Sequence, residues 1–406
     1  MSASAAGMAR QMAQEEGGFR LDVVTIALTL SILLLGLVMV GSASISMAAH
    51  EPGGDPFAYL ERQLLLTLGG IACAAIVARI PTDFLDRNAF LLLILAGALL
   101  LAVLIPGLGH VVNGSRRWIR VAGFNFQASE GARVLVLSYV ASYAVRREKE
   151  LRESLMGLAR PLGLLVLFAL LLLAEPDFGA ATVLVATGFG LLFLAGAQLR
   201  WVAAFTFGLA TLGSLAVLLA PYRMKRLMTF LDPWADPFNS GFQLTQSLIA
   251  IGRGDWFGVG LGESVQKLFY LPEAHTDFLF AVLAEELGLA GVVLTLGLFL
   301  ALVWRVFHIS KLANDAGLKF QSYLAAAFGL WLGIQACINM GVNMGALPTK
   351  GLTLPLMSYG RSSLIVTIAW MGIVLRVYHE ATGETRGTAG AVRRRAAAAA
   401  AAQAGA

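Results

Sequence analysis

The sequence predicts an all-α polytopic membrane protein with about ten transmembrane helices and a large periplasmic loop between the seventh and the eighth. Hydrophobic residues make up 58% of the 406 residues, charged residues only 14%, and the mean hydropathy is +0.74. These values lie far outside the range of soluble globular proteins. Apolar stretches long enough to cross about 30 Å of hydrocarbon recur along the chain, and one long mixed segment, 221–276, interrupts them.

The apolar stretches follow one another with mostly short connections. Each has roughly the 17 to 25 residues that a helix needs to span the bilayer. They are residues 23–42, 63–79, 89–106, 129–145, 161–175, 178–197, 201–220, 277–303, 321–345 and 356–377. The boundary between the fifth and the sixth is the least distinct, because only Glu175-Pro-Asp177 separates them. Residues 21–380 therefore form one membrane domain.

The distribution of basic residues predicts the orientation. With spans counted from residue 23, most of the 30 Lys and Arg residues fall on the side that holds the N-terminus. The positive-inside rule makes that side cytoplasmic, so both termini are expected in the cytoplasm. The tails 1–20 and 381–406 are expected to be disordered. The basic run 393–395 suits anionic membrane lipid and gives no case for a nucleic-acid partner.

Basic residues that break this rule are concentrated in three outward connections, 110–130, 221–276 and 347–360. Those considered for ligand binding are Arg116, Arg117, Arg120, Arg223, Lys225, Arg226 and Lys350. For any one of them, a role as an interfacial anchor is the better interpretation. Three separate connections that place cations on one membrane face favour a shared anionic ligand, and guanidinium groups suit phosphate oxygens. A lipid phosphate or diphosphate is the expected ligand.

The acidic side chain at the start of the eighth span is the strongest candidate for chemistry. Thr276 is a potential N-cap, so the helix dipole would lower the pKa of Asp277. A capping role alone explains this carboxylate about as well as catalysis does. Ala281, Ala284 and Gly288 continue its helical face with small side chains, which suits close packing or a groove. Burial there would raise the pKa toward that of a useful base, and the sequence leaves open which effect prevails.

Other acidic residues favour structural ion pairs over chemistry. A charge within a membrane span is costly unless it is paired, so Glu285 and Glu286 are expected to meet basic residues on other spans. Glu130 and Arg133, one helical turn apart, look like half of such a network. Asp177 follows a proline at a break between spans. All five are therefore predicted to be structural.

The motifs exclude several enzyme classes and define no metal site. Gly258-x-Gly-x-Gly262 resembles a nucleotide loop, but no strand precedes it and it lies on the side without nucleotides. The chain has no P-loop, no HExxH and no GxSxG. His275 is a candidate for binding substrate or, with Asp277, a divalent cation. Two ligands are too few to define a site, so the metal is left unknown.

Seven stretches of the sequence resemble one known family in their order along the chain. They are Asn113-Gly-Ser-Arg-Arg-Trp-Ile119, Gln127-Ala-Ser-Glu130, Pro176-Asp-Phe-Gly179, Gly241-Phe-Gln-Leu-Thr-Gln-Ser247, Tyr270-Leu-Pro-Glu-Ala-His-Thr-Asp-Phe278, Ala284-Glu-Glu-Leu-Gly288 and Leu347-Pro-Thr-Lys-Gly-Leu-Thr-Leu-Pro-Leu-Met-Ser-Tyr-Gly360. They resemble the SEDS family (shape, elongation, division and sporulation), and its FtsW-type division branch more than its RodA-type elongation branch. Arg133 departs from the usual Lys, and Arg361 replaces the second Gly of a Tyr-Gly-Gly-Ser-Ser pattern.

The resemblance implies a ten-span peptidoglycan glycosyltransferase of the bacterial inner membrane that polymerises lipid II at the division septum. It also implies a class B penicillin-binding protein (an FtsI-type transpeptidase) and other division proteins as partners, and it assigns the essential aspartate to Asp277. We expect Asp277 to take the proton from the acceptor 4-hydroxyl. The arginines and Lys350, with Mg²⁺ or Mn²⁺ as an optional cofactor and no organic cofactor, would stabilise the departing undecaprenyl diphosphate. A lipid II flippase and a non-catalytic septal scaffold are the alternatives.

Overall fold

The computed structural model describes residues 19–50, 54–112, 115–121, 124–218 and 221–404. Helices dominate this part of the chain. They are α1 (Val23–His50), α2 (Ala58–Val77), α3 (Thr82–Arg87), α4 (Ala89–Leu104), α5 (Ala128–Arg146), α6 (Glu148–Glu153), α7 (Leu155–Ala174), α8 (Phe178–Leu194), α9 (Leu199–Leu218), α10 (Pro221–Leu231), α11 (Phe242–Gly254), α12 (Leu279–Asp315), α13 (Lys319–Asn343) and α14 (Arg361–Ala404).

Each of the ten predicted spans overlaps one helix. In chain order these helices are α1, α2, α4, α5, α7, α8, α9, α12, α13 and α14. Among the described residues, six helices are long and apolar enough to cross a membrane: α1, α2, α7, α12, α13 and the part of α14 from Arg361 to Gly383. α4 and α8 are shorter apolar helices of 16 and 17 residues. The helical polytopic architecture is thus confirmed, and the count of ten crossings stays a prediction.

The start of α1 and the end of the last span lie at the same end of the helix bundle. The guanidinium of Arg20 donates to the carbonyl of Thr382 at 2.7 Å. Asp22, which precedes α1, pairs with Arg305 of α12 at 2.6 Å. The expected tail 1–20 lies almost entirely outside the described residues. At the other terminus α14 extends to Ala404, through most of the tail expected to be disordered. The alanine tract favours this helix, because alanine has the highest helix propensity of all residues.

Glycines allow the helices of the core to approach closely, as is usual where lipid supplies no hydrophobic driving force between helices. A Cβ on Gly372 of α14 would lie 2.5 Å from the carbonyl oxygen of Ala74 in α2. A Cβ on Gly36 of α1 would lie 2.6 Å from Cα of Met357. The second contact seats the segment 344–360, which contains Lys350, against α1.

A small antiparallel sheet, which the all-α prediction did not anticipate, follows α4. Its strands are β1 (Gly109–Val112), β2 (Ser115–Val121) and β3 (Phe124–Gln127), in the order β1-β2-β3. Trp118 of β2 faces His110 of β1 and Gln127 of β3 in the register. The Asn-Gly signal at 113–114 and the β-branched and aromatic residues around it are typical of a hairpin. This strand pairing decides where the arginines of β2 lie.

The long connection 221–276 is partly helical, and its apolar stretch from Phe242 forms α11. This connection packs against a break in α12 at Gly288, where φ is +63°, a conformation that favours glycine. Backbone groups of 255–260 pair with those freed by the break, which satisfies them inside the protein. The four bonds are Val259 N to Glu285 O, Gly260 N to Glu286 O, Leu289 N to Asp255 O and Ala290 N to Trp256 O, at 2.9 to 3.1 Å.

Candidate active site

Asp277 lies in a turn that precedes α12. The helix begins at Leu279 with Phe278 as its N-cap residue. The hydroxyl of Thr276 donates to the carboxylate of Glu273 at 2.7 Å. The prediction that Thr276 caps the helix is therefore wrong, because a local bond engages its hydroxyl. Asp277 consequently precedes the first helical turn, and its immediate neighbours control its ionisation.

Asp277 is half-buried, and its carboxylate faces the backbone of Gly351. A Cβ on Gly351 would lie 3.0 Å from Oδ2 of Asp277. Removal of water raises the pKa of Asp277 to about 7, and the negative charge of Glu273 adds to this effect. Arg117 lowers the pKa and Asp177 raises it, by smaller amounts. Burial therefore prevails over the helix dipole, and both protonation states are populated near neutral pH.

The three arginines of the first outward connection have different surroundings, and the β1–β2 register is irregular at this point, since Val111 pairs with Arg116 but His110 pairs with Trp118. Arg117 lies on the face toward the site, with its guanidinium 4.0 Å from Oδ1 of Asp177. Arg116 donates to the carbonyl of Leu104 at 3.2 Å. Arg120 is exposed. Of the three, the structure brings Arg117 to the site, and the binding role expected of Arg116 and Arg120 stays a prediction.

Lys350 reaches the start of α8 from the segment 344–360. Its ammonium lies 3.4 Å from the hydroxyl oxygen of Thr182 and 4.5 Å from the ring centre of Phe178. Burial lowers the pKa of Lys350. The next residue, Gly351, contacts the carboxylate of Asp277. Lys350 and the arginine of β2 therefore both lie near the start of α8, beside the candidate base.

Asp177 joins the elements around these cations. Its Oδ1 accepts the amide of Ala180 at 3.0 Å and thereby caps α8. Its Oδ2 accepts Gln127 of β3 at 3.0 Å and Ser129 of α5 at 3.2 Å. These bonds fit the structural role predicted for Asp177 and fix the sheet against α5 and α8.

Glu175, two residues earlier, is a feature that the sequence analysis missed. Its side chain is fully buried, and neither carboxylate oxygen has a hydrogen-bond partner among the described residues. Loss of solvent raises the pKa of Glu175 to about 8, with a further contribution from Asp177 and an opposing one from Arg117. This carboxyl is therefore mostly protonated at neutral pH. The Glu-Pro-Asp run between two spans was the available signal.

His275 has a packing role. Its buried ring lies 5.0 Å from the ring of Tyr59 and 5.5 Å from that of Tyr359. Its carbonyl accepts the amide of Tyr359 at 3.0 Å. Among the described residues no group of three or more His, Cys, Asp or Glu could hold a metal ion. The structure thus places the ring among tyrosines, and it offers little for the predicted contact with substrate or metal.

Glu130 and Arg133 form a buried ion pair on α5. Arg133 also donates to Oε1 of Gln335 at 2.8 Å, and its guanidinium lies 5.0 Å from the ring centre of Trp331. Because these two residues belong to α13, the pair connects two helices of the core. Both charges are satisfied inside the bundle, as a structural role requires.

Glu285 and Glu286 are fully buried and paired. Arg253 lies 3.1 Å from Glu285, and Lys267 lies 2.8 Å from Glu286. Ser42 of α1 donates to Glu286 at 2.7 Å. The sequence predicts partners on other spans, whereas both basic partners come from the connection 221–276. The break in α12 explains this difference, because the connection packs directly against it.

The remaining basic candidates lie in α10. The helix itself fits the amphipathic pattern of the sequence around 222–230. The side chains of three residues fall outside the described part of the structure, namely Arg223, Lys225 and Arg226. Their binding role stays a prediction. The site built from described residues therefore contains Asp277, Arg117 and Lys350.

Comparisons with known proteins agree with this architecture. The family model FTSW_RODA_SPOVE, described as "Cell cycle protein", matches residues 22–383. "Probable peptidoglycan glycosyltransferase FtsW" of Thioalkalivibrio sulfidiphilus is 55% identical over 361 residues, which cover 89% of this chain and 90% of that protein. The protein of the same name from Methylococcus capsulatus is 51% identical over 372 residues, covering 91% and 93%.

Solved structures give the same result. A chain of a peptidoglycan synthase complex, described for its coordination of polymerization and crosslinking, superposes with a TM-score of 0.75 and 32% identity, covering 90% of this chain and 99% of that chain. The rod shape determining protein RodA of Thermus thermophilus superposes with a TM-score of 0.64 and 30% identity, covering 88% and 96%. Since the family model spans nearly the whole membrane domain, this chain belongs to the FtsW/RodA/SpoVE family of cell cycle proteins, the family that its motifs resemble.

Proposed function

We propose that this protein is a peptidoglycan glycosyltransferase of bacterial cell division that polymerises lipid II into glycan strands. The observation that carries the proposal is the placement of one carboxylate of raised pKa, Asp277, beside the two cations Arg117 and Lys350. Relatives at 51% and 55% identity bear the name peptidoglycan glycosyltransferase FtsW. These groups would act as a base and a diphosphate site on neighbouring segments.

The proposed reaction is an inverting transfer. Asp277 accepts the proton of the lipid II 4-hydroxyl as that oxygen forms a bond to the anomeric carbon of the growing strand. The bond from this carbon to the undecaprenyl diphosphate breaks, and the diphosphate leaves with the electron pair. Arg117 and Lys350 offset the developing negative charge, in a setting partly shielded from water. The product is a strand longer by one disaccharide.

The divalent cation stays a prediction. The donors near the base do not fit a site formed by protein ligands alone, because His275 packs among tyrosines and no acidic or thiol cluster joins Asp277 in the described residues. No step of the proposed mechanism depends on a metal. The protein groups that act are one carboxylate, one guanidinium and one ammonium.

The deeper charges favour the enzyme over the flippase. A transport route for a diphosphate headgroup needs charged groups that are available along its length. Glu130 pairs with Arg133, and Glu285 and Glu286 pair with residues of the connection 221–276. These charges are engaged with each other or with the loop. A scaffold would require no raised pKa at the start of α12, so the enzyme accounts for more of the structure.

The site of action and the partner follow from the same proposal. We infer that the end of the bundle with the sheet and the segment 344–360 faces the periplasm at the septum. The similarity to a chain of a peptidoglycan synthase complex supports a penicillin-binding transpeptidase as partner. A class B enzyme of the FtsI type fits this role, because its crosslinking would use the strand that this site produces. Other division proteins would assemble with this pair.

Purified full-length protein with its transpeptidase partner, supplied with lipid II, tests the proposal. We expect Asp277→Asn and Asp277→Ala to lower the polymerisation rate by about 10²- to 10⁴-fold, the usual contribution of a general base. Asp315→Asn, at the exposed far end of the helix that Asp277 precedes, is the matched control and should keep the wild-type rate. Undiminished polymerisation by both Asp277 variants would refute the assignment.

A further inference from the structure

The face of α13 toward the candidate site contains three amide side chains spaced one helical turn apart. Gln335, Asn339 and Asn343 are 1%, 2% and 0% exposed. Residues at i, i+4 and i+8 lie along one side of a helix, so the three form a continuous row. Each of them donates to a backbone carbonyl outside α13. We call this row the amide ladder.

Asn339, at the centre of the amide ladder, contacts both segments of the site. Its Nδ2 donates to the carbonyl of Leu352 at 2.6 Å and to the carbonyl of Asp277 at 2.8 Å. One nitrogen thereby holds two backbone carbonyls within about 5 Å of each other. Leu352 directly follows Lys350-Gly351. A single amide group therefore sets the distance between the segment with the base and the segment with the cation.

Asn343 fixes the same turn from the next position along the helix. Its Nδ2 donates to the carbonyl of Asp277 at 3.0 Å, and its Oδ1 accepts the amide of Ala281 at 3.1 Å. The carbonyl of Asp277 thus receives two donors from α13. Asn343 also contacts the first turn of α12, so it holds the turn and the helix start together.

Gln335 continues the amide ladder in the other direction. Its Nε2 donates to the carbonyl of Thr353 at 3.0 Å, and its Oε1 accepts a bond from Arg133 at 2.8 Å. The segment 352–353 is therefore held at two successive residues. Through Arg133 the amide ladder is connected to the buried ion pair of α5.

A purely structural interpretation is that the amides satisfy backbone groups freed where helices end inside the membrane. The targets argue for more than that. Each of the three amides donates to a backbone carbonyl of one of the two segments that meet at the Asp277 carboxylate, and Asn339 donates to both segments at once. We propose that Asn339, aided by Gln335 and Asn343, is a positioning residue that keeps the Asp277 carboxylate in register with the Lys350 segment during glycosyl transfer.

This inference rests on the proposed function, and the magnitude follows from the geometry of catalysis. A misplacement of about 1 Å at a reacting group can lower a rate about 10²-fold. Removing Asn339 leaves the base and the cation in the chain but frees the distance between them. The turnover number should therefore fall while substrate binding, which depends mainly on the cations and the lipid tail, changes little.

Charged groups from several elements face Asp277, so the pKa of Asp277 depends on how its turn is held against the neighbouring segments. They are Glu273 in its own turn, Asp177 at the start of α8 and Arg117 on β2. Lys350, on the segment joined by the amide ladder, instead contacts Thr182 of α8. If the turn loosens and admits water, the largest cause of the raised pKa of Asp277 weakens. The acid limb of the pH–rate profile then moves to lower pH.

The test compares Asn339→Leu, which keeps the branched shape and the number of heavy atoms but removes the donor, with Gln321→Leu. Gln321 is a buried amide near the opposite end of α13 that donates to Thr82 at 3.0 Å. We expect Asn339→Leu, in the full-length complex with lipid II, to lower kcat by about 10- to 100-fold. KM should stay within about threefold, and the acid limb should move down. Gln321→Leu should keep both kcat and the limb.

Two results would overturn the inference. One is a kcat of Asn339→Leu within twofold of wild type with an unmoved acid limb. The other is a loss of activity that Gln321→Leu shares in proportion to its loss of thermal stability. If Asn339→Leu does not accumulate in membranes, Asn339→Gln serves as the test variant, because it keeps the donor but displaces it by one methylene. An unchanged kcat of Asn339→Gln would also overturn the inference. Asp277→Asn is measured in parallel. If it loses activity while Asn339→Leu does not, the positioning role fails but the proposed function stands.

Discussion

The polymerisation rate should rise about tenfold between pH 6 and pH 8. With a pKa of about 7 for Asp277, about a tenth of the carboxyl is ionised at pH 6 and about nine tenths at pH 8. Only the ionised form can accept a proton, so the rate at saturating lipid II follows this fraction. An aspartate of ordinary pKa, 3.8, would be ionised throughout the range and would give a flat profile.

The assay measures initial rates of glycan formation by the full-length protein with its partner at half-unit steps from pH 5.5 to 8.5. Thermal unfolding at each pH controls for loss of folded protein. Glu273→Gln gives an internal check, since this exposed residue raises the pKa of Asp277. Its acid limb should shift to lower pH with the plateau unchanged. A flat wild-type profile would refute the argument that burial controls this base.

Three further substitutions test the surroundings of the site. Gly351→Ala brings a Cβ to 3.0 Å from the catalytic carboxylate and should lower kcat about tenfold or more. The control Gly69→Ala, whose Cβ would have no atom within 4 Å, should keep the wild-type kcat. Equal rates of the two variants would contradict this prediction. Between pH 4.5 and about 8 the folded chain keeps a proton on Glu175, whereas the unfolded chain has lost it. The free energy of unfolding of the wild type therefore falls by on the order of 1 kcal/mol for each unit that the pH rises in this range. Glu175→Gln should lack this pH dependence, which thermal unfolding of both proteins at pH 6 and pH 8 measures. A stability difference between the two proteins that is the same at both pH values would contradict a buried, protonated Glu175. Lys267→Met leaves the buried charge of Glu286 without its cation and should lower the free energy of unfolding by about 3 to 5 kcal/mol, measured by thermal unfolding in detergent; a change below 1 kcal/mol would show that the pair contributes little.

Much of the site could be predicted from local sequence, and the failures have one cause. Asp277 and Lys350 were found because an isolated charge beside a membrane span is costly enough to indicate a function. The arginines of 116–120 were grouped together because they are adjacent in sequence. The chain forms a strand with an irregular register there, and the fold places the Arg117 guanidinium beside Asp177 while Arg116 bonds to the carbonyl of Leu104.

The amides of α13 were missed for a related reason. Gln335, Asn339 and Asn343 are neutral, and a neutral amide within an apolar helix gives little signal in composition or charge. Their importance depends on contacts with 277 and 352–353, far away in sequence. Glu175 was noticed only as part of a boundary, because the extent of its burial depends on how α7 and α8 pack against the sheet.

The sequence by itself determined that this is a polytopic helical membrane protein, where its helices lie, and which acidic residue is the candidate base. These properties depend on the transfer free energy of each segment, which adds up along the chain and needs no knowledge of neighbours. The tertiary structure alone decided whether the dipole or burial controls Asp277, which cations reach it, and which side chains hold the two segments of the site in register. Those outcomes depend on distances between residues remote in sequence, because desolvation and hydrogen bonding are set by whatever groups the fold brings within a few ångströms.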